Sequence, residues 1–215
     1  MADPLPLAEI FDHLVISTVE WDVVRLDQTS VTGAAESFQG ELADPLWKAT
    51  VSLSTRNSAA LNQSAALIRS LRGSQQPFLI CNPTALWPQA DEGGLLLGAS
   101  AITVRAIAPN RALALLQGFP PGYVLTPGDK LQITFGAPLR YTFFEVSRTA
   151  VANGLGQCDV AVFPWLSMLL PVGASVTLVR PACPVTIEKG SHRPGVARRT
   201  VTDGASFVAL QKRRR

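Results

Sequence analysis

Two histidines, three cysteines and one adjacent pair of acids are where this 215-residue sequence could hold a reaction. Nucleophilic catalysis needs a nucleophile, a base and an orienting group, and the base would have to be His13 or His192. His13 follows Phe11-Asp12 at the entrance to an expected strand. His192 lies in the loop Gly190-Ser191-His192-Arg193-Pro194-Gly195, where a surface imidazole is the default reading. No G-x-S-x-G elbow, phosphate loop or G-x-G-x-x-G fingerprint occurs. Cys81, Cys158 and Cys183 lack the C-x₂-C spacing, and the histidines the H-x₃-H spacing, that would place two zinc ligands together. Apolar neighbours predict that Cys81 and Cys158 are small buried core groups. Asp91-Glu92, beside Gly93-Gly94, reads as a solvated loop pair and not as a catalytic dyad. Trp21, Trp47, Trp87 and Trp165 are expected to pack in a core, with Trp87, in a proline-flanked loop, the candidate interface anchor. The sequence therefore assigns no catalytic, cofactor-binding or metal residue, and says nothing of an enzyme.

With 47% hydrophobic and 16% charged residues, the chain folds around a core of one or two domains. Three scattered cysteines make no disulfide framework, so folding in a reducing compartment is the simpler expectation. The opening Met1-Ala2-Asp3-Pro4-Leu5-Pro6 lacks the basic start of a secretory signal. Eight basic residues against two acids from position 188 onward give +6, so the overall +3 leaves −3 for residues 1–187. The run Lys212-Arg213-Arg214-Arg215 could neutralise phosphates, but reads as a solvated, frayed end. Residues 160–179 carry no charge over the length of a membrane helix. Pro164, Pro171 and Gly173 interrupt them, so two buried strands around a turn are expected and no membrane span.

The elements follow from period and punctuation. Residues 15–26 and 34–42 predict a strand pair around Thr32-Gly33. Trp47, Ala49, Val51 and Leu53 alternate with Lys48, Thr50 and Ser52, which predicts a strand with one face on a core. Leu61, Ala65 and Ile68 recur at helical spacing, which predicts one helix over 58–72, capped by Thr55, Asn57 or Ser58 and ended at Gly73. A short buried strand over 77–81 and an Asn82-Pro83 turn close this part. From there short strands succeed one another, at 95–107, 112–119, 130–135, 141–148, 158–163 and 175–179. They suggest a small OB-like barrel inserted over 86–182. The segments near 185–187, 197–201 and 206–210 are too few to form a core and are expected to complete the first sheet. The fold class is thus mainly β with one helix (α+β). Residues 1–85 and 183–215 form a discontinuous, β-sandwich-like domain with one flanking helix, and an inserted OB-like small β-barrel fills 86–182.

This order of elements resembles the distal tail proteins of long-tailed bacteriophages. Trp47-Lys48-Ala49-Thr50-Val51-Ser52-Leu53, Leu67-Ile68-Arg69-Ser70-Leu71-Arg72-Gly73 and Pro77-Phe78-Leu79 look like the strand, helix and strand of that family's first half. Leu125-Thr126-Pro127-Gly128-Asp129-Lys130-Leu131-Gln132-Ile133, the strand within 156–164 and Pro171-Val172-Gly173-Ala174-Ser175-Val176 are similar to its second half. The resemblance implies a structural virion protein in the phage tail. It would form a homo-oligomeric ring, usually a hexamer, that joins the tail tube protein to the tail-tip or baseplate hub protein. DNA would pass through without specific binding, and no cofactor would be needed.

Closed rings arise when one copy meets the next through two different surfaces and the rotation divides the circle. A bore lined by the acidic part of the chain would repel phosphate. The alternative class is a single-stranded nucleic-acid binder, an OB-like unit with a basic tail, which needs exposed aromatics on a strand face. Phe143 and Phe144 are adjacent and point to opposite faces, with Tyr141 on the side of Phe143, a thin platform.

Overall fold

A computed structural model describes residues 3–167, 169–198 and 201–213. Strands β1 (Ile16–Val31) and β2 (Ser37–Leu53) form one long antiparallel hairpin. Its turn is closed by the Glu36 carbonyl accepting from the Thr32 amide at 2.9 Å. The expected strands over 34–42 and 47–53 are a single strand that runs through Pro45. Register shifts opposite Val24, Leu26 and Asp27 show the reason. The extra residues form bulges near Pro45, where the ladder can do without its missing N–H.

Next come β3 (Arg56–Asn57), α1 (Ser58–Ser70) and β4 (Phe78–Cys81). Of the three candidate caps, Asn57 is the one used: its Oδ1 accepts from the Ala60 amide at 2.8 Å. Leu61, Ala65 and Ile68 are buried. The chain leaves the helix through Arg72 and Gly73, both left-handed.

Between β4 and its return the chain makes β5 (Ile102–Ile107), β6 (Leu113–Gln117), β7 (Val124–Leu125) and β8 (Lys130–Phe135). Then follow β9 (Arg140–Val146), β10 (Ala150–Val151), β11 (Gln157–Phe163) and β12 (Ser175–Thr177). Six of these close a barrel in the order β5-β6-β11-β9-β8-β12, every pair antiparallel. The OB type has five strands; here β12 supplies a sixth. Residues 95–101, expected in a strand, lie outside one, 95–99 as turns, and Leu95 and Leu96 are exposed. The barrel is filled by Val104, Leu116, Leu131, Ile133, Phe144 and Val160, among others. Gly156 fits where no side chain could: a Cβ there would lie 2.3 Å from the Phe119 carbonyl oxygen.

The chain returns as β13 (Ala182–Ile187), β14 (Val196–Ala197), β15 (Val201–Asp203) and β16 (Ser206–Gln211). β13 and β16 complete a five-stranded antiparallel sheet in the order β1-β2-β16-β13-β4. β14 and β15 do not join it. They pair with each other and with β3 in a separate three-stranded sheet. One face of the large sheet, with Trp47, Val51, Phe78, Ile80, Val185 and Phe207, shares a core with Leu61 and Ile68 of α1, and at β4 and β13 the other face is buried as well. The architecture is mainly β with a single α-helix among the described residues, and none of its helices is long and apolar enough to cross a membrane.

Candidate functional site

The residues with reactive side chains are not brought together. His13 ends a short 3-10 turn and is exposed. His192 is half-buried, and burial, with Arg69 nearby, holds its imidazole below the ordinary value, which favours the neutral form. Neither imidazole hydrogen-bonds to a serine, cysteine or acid among the described residues. All three cysteines are free and buried. Burial raises each thiol, Cys158 to about 11, so thiolate is scarce at neutral pH. His13 does line an open cavity of about 210 Å³ with Arg56, Gln63 and Ser64. That is smaller than the roughly 300 Å³ at which ligand pockets begin. Among the described residues no three His, Cys, Asp or Glu side chains could share a metal ion.

Asp91 overturns its reading as a solvated loop acid. It is 2% exposed, and its carboxylate accepts from the amides of Leu96 and Leu97 and from the Tyr123 hydroxyl, at 2.7, 2.9 and 2.9 Å. Only Glu92 of the pair faces water. Burial pushes the Asp91 pKa up, but those three donors more than offset it and hold the group below the usual aspartate value. A folded-state pKa below the unfolded one stabilises at neutral pH, and that stability is lost as pH falls through the folded value. Asp91→Asn is therefore expected to cost about 2–3 kcal/mol at pH 7 and less below pH 4. Urea unfolding at pH 7 and pH 3.5 checks this. The sequence offered only a turn context, an Asp two residues ahead of Gly93-Gly94 and Asp129 in Pro127-Gly128-Asp129, which solvated and buried carboxylates share. Asp129 is also buried, accepting from the Gln89 and Thr126 amides.

The aromatic residues collect where sheet meets barrel. Phe143 projects from β9 out of the barrel and stacks on Trp21 at 5.5 Å between centroids, edge-on to Trp47 at 5.6 Å. The Trp47 indole N–H donates to the Phe143 carbonyl at 3.1 Å. Lys130 lies 4.7 Å from the Trp47 ring centroid and pairs with Glu145; burial pulls its ammonium down to about 8. Phe144 faces the barrel core instead. Both phenylalanines are buried, so the base-stacking platform considered for single strands has no exposed ring at those positions.

What the molecule does present is the far half of the β1–β2 hairpin. β16 pairs with β2 only from Lys48 to Ser52, so residues 26–42 extend beyond the sheet as a two-stranded ribbon. Every residue from 28 to 43 is exposed, including Val31 at 66%, Phe38 at 59% and Leu42 at 70%. Compared with models of known families and with curated proteins, the chain finds no match. Function must be read from this surface and its supports.

Those supports are well built. Asp44, at the ribbon's base, pairs with Arg111 of the β5–β6 turn at 3.3 Å and with Arg213 at 3.1 Å. Arg213 also donates to the Pro45 carbonyl at 2.8 Å, and the Trp165 indole donates to Glu41 at 2.9 Å. The C-terminal run is therefore not a frayed end as far as Arg213. The Lys212 amide donates to the Pro184 carbonyl, and burial pulls the Arg213 guanidinium below its ordinary value even with Asp44 beside it. Arg214 and Arg215, like Arg199, lie outside the described residues. Trp87, the expected anchor, is 38% exposed in its loop.

Proposed function

We propose that this protein is a structural ring component of the distal tail type, a homo-oligomer that joins a phage tail tube to its tail-tip hub and leaves a bore for DNA. The observation that carries the reading is the ribbon of residues 26–42. A two-stranded ribbon is marginal in water on its own, and an open edge invites pairing. This one is exposed on both faces yet anchored at its root by a two-arginine clamp on Asp44. Such a rigid base under an exposed arm suits an arm that another chain covers. The job is mechanical: copies pack side by side and the barrel rides outside.

The charge pattern supports an unreactive bore. Glu20 and Asp22 occupy the exposed face of β1 and make no ion pair among the described residues. Such a wall turned to the channel would repel phosphate. Native mass measurement should find the 23.0 kDa chain in a closed species, about 138 kDa for six copies. Electron microscopy of the particle should place it at the far end of the tail; a monomer absent from that position overturns the reading.

A further inference from the structure

The two ends of the long hairpin carry opposite charge. Residues 26–42 hold Asp27, Glu36 and Glu41 and no base; Arg25, just outside them, pairs with Asp27 at 2.8 Å, so Glu36 and Glu41 are the acids left without an ion pair among the described residues. At the other end of β2 lie α1 and the three-stranded sheet, and residues 54–76 contain Arg56, Arg69 and Arg72 and no acid. Arg56, Arg69, Arg72, Lys189 and Arg193 are all exposed, and none makes an ion pair among the described residues. The two acids of the same region are already engaged, Glu188 with Lys48 at 3.4 Å and Asp203 with Arg198 at 3.6 Å. That end therefore presents uncompensated positive charge.

Distance prevents the molecule from satisfying itself. The 17 residues of β2 hold the ribbon tip and the basic end about 50 Å apart, far beyond the screening length of physiological salt. The sizes match: six residue pairs of the ribbon, from Leu26↔Ala43 to Val31↔Ser37, span about 20 Å, the length of α1 between Arg56 and Arg72. Apolar surface accompanies charge on each side, Val31 and Phe38 on the ribbon and Val196, 67% exposed, on β14.

We propose that the acidic ribbon of one copy docks on the basic end of the next, along α1 and the β3–β15–β14 sheet. The contact is heterologous, two different surfaces at opposite ends, which is the kind that propagates and closes into a ring. The inference rests on the ring reading above and specifies its contact. Association is then faster and tighter at low salt.

The test is a charge exchange. Glu36→Lys/Glu41→Lys on the ribbon and Arg56→Glu/Arg69→Glu on the basic end should each raise the concentration for half-assembly about tenfold or more, read by sedimentation at 50 and 300 mM salt. The quadruple variant, with the charges exchanged, should recover most of that loss. Near-ultraviolet circular dichroism confirms that each variant is folded. If the wild type assembles and each double variant assembles equally well, or the quadruple variant is no better than the doubles, the docking proposal is overturned while the ring stands. If the wild type stays monomeric at all salt and protein concentrations and is missing from imaged tail tips, both fall. If Arg56→Glu/Arg69→Glu abolishes binding of a 20-nucleotide single-stranded probe and leaves assembly unchanged, the basic end serves nucleic acid and the proposal is wrong.

Discussion

Replacing residues 28–40 by a two-residue Asn-Gly turn is expected to leave a folded monomer that no longer assembles. The deleted residues are all exposed, so no core contact goes with them. The retained Asp27 and Glu41 are direct partners across the hairpin and can flank a tight turn. The clamp of Asp44 with Arg111 and Arg213, and the Trp165 bond to Glu41, stay in place. Stability should fall within about 1 kcal/mol of the parent, the ordinary range for surface changes. Assembly should weaken by two orders of magnitude or more, roughly the 3 kcal/mol carried by a central anchor such as Phe38. Urea titration and native mass measurement separate the two effects. A truncated protein that assembles like the parent removes the ribbon from the contact and with it the observation on which the ring reading stands.

How far the chain could be read in advance follows from what periodicity records. The alternation through Trp47, Ala49, Val51 and Leu53 predicted a buried strand face because burial repeats every two residues, and those four are buried. The helix was legible for the same reason at a different period. The strands expected over 34–42 and 47–53 are one, because the bulges that carry the chain through Pro45 leave no mark in the period. The exposed ribbon was partly visible as a strand pair, but its projection was not. That depends on where β16 stops pairing, and β16 lies more than 150 residues away in sequence. Asp91 was misread because a buried carboxylate and a solvated one have the same spelling; the difference lies in amides and a hydroxyl that converge only after the barrel closes.

Phe143 gives the sharpest case, and the second large effect. Adjacent strand residues point to opposite faces, so its parity relative to Phe144 followed from sequence. Its destination did not, since a face turned away from one core can be turned toward another. Phe144 fills the barrel, and Phe143 fills the sheet's core against Trp21 and Trp47. Each is at most 2% exposed, so Phe143→Ala and Phe144→Ala should both cost about 3–5 kcal/mol. At this chain length that is a fall of about 10 °C in Tm. The two should differ in kind. Phe143→Ala removes the ring that joins barrel to sheet, so the tryptophan near-ultraviolet signal should change and proteolysis in the connectors, residues 82–90 and 178–181, should accelerate. Phe144→Ala leaves Trp21 and Trp47 their partner and should do neither at temperatures where the protein is folded. If Phe143→Ala lowers Tm yet leaves the tryptophan spectrum and connector cleavage as in the parent, the ring is ordinary packing, and the barrel's position on the sheet is held by the Asp44 clamp and the Trp47 indole bond instead.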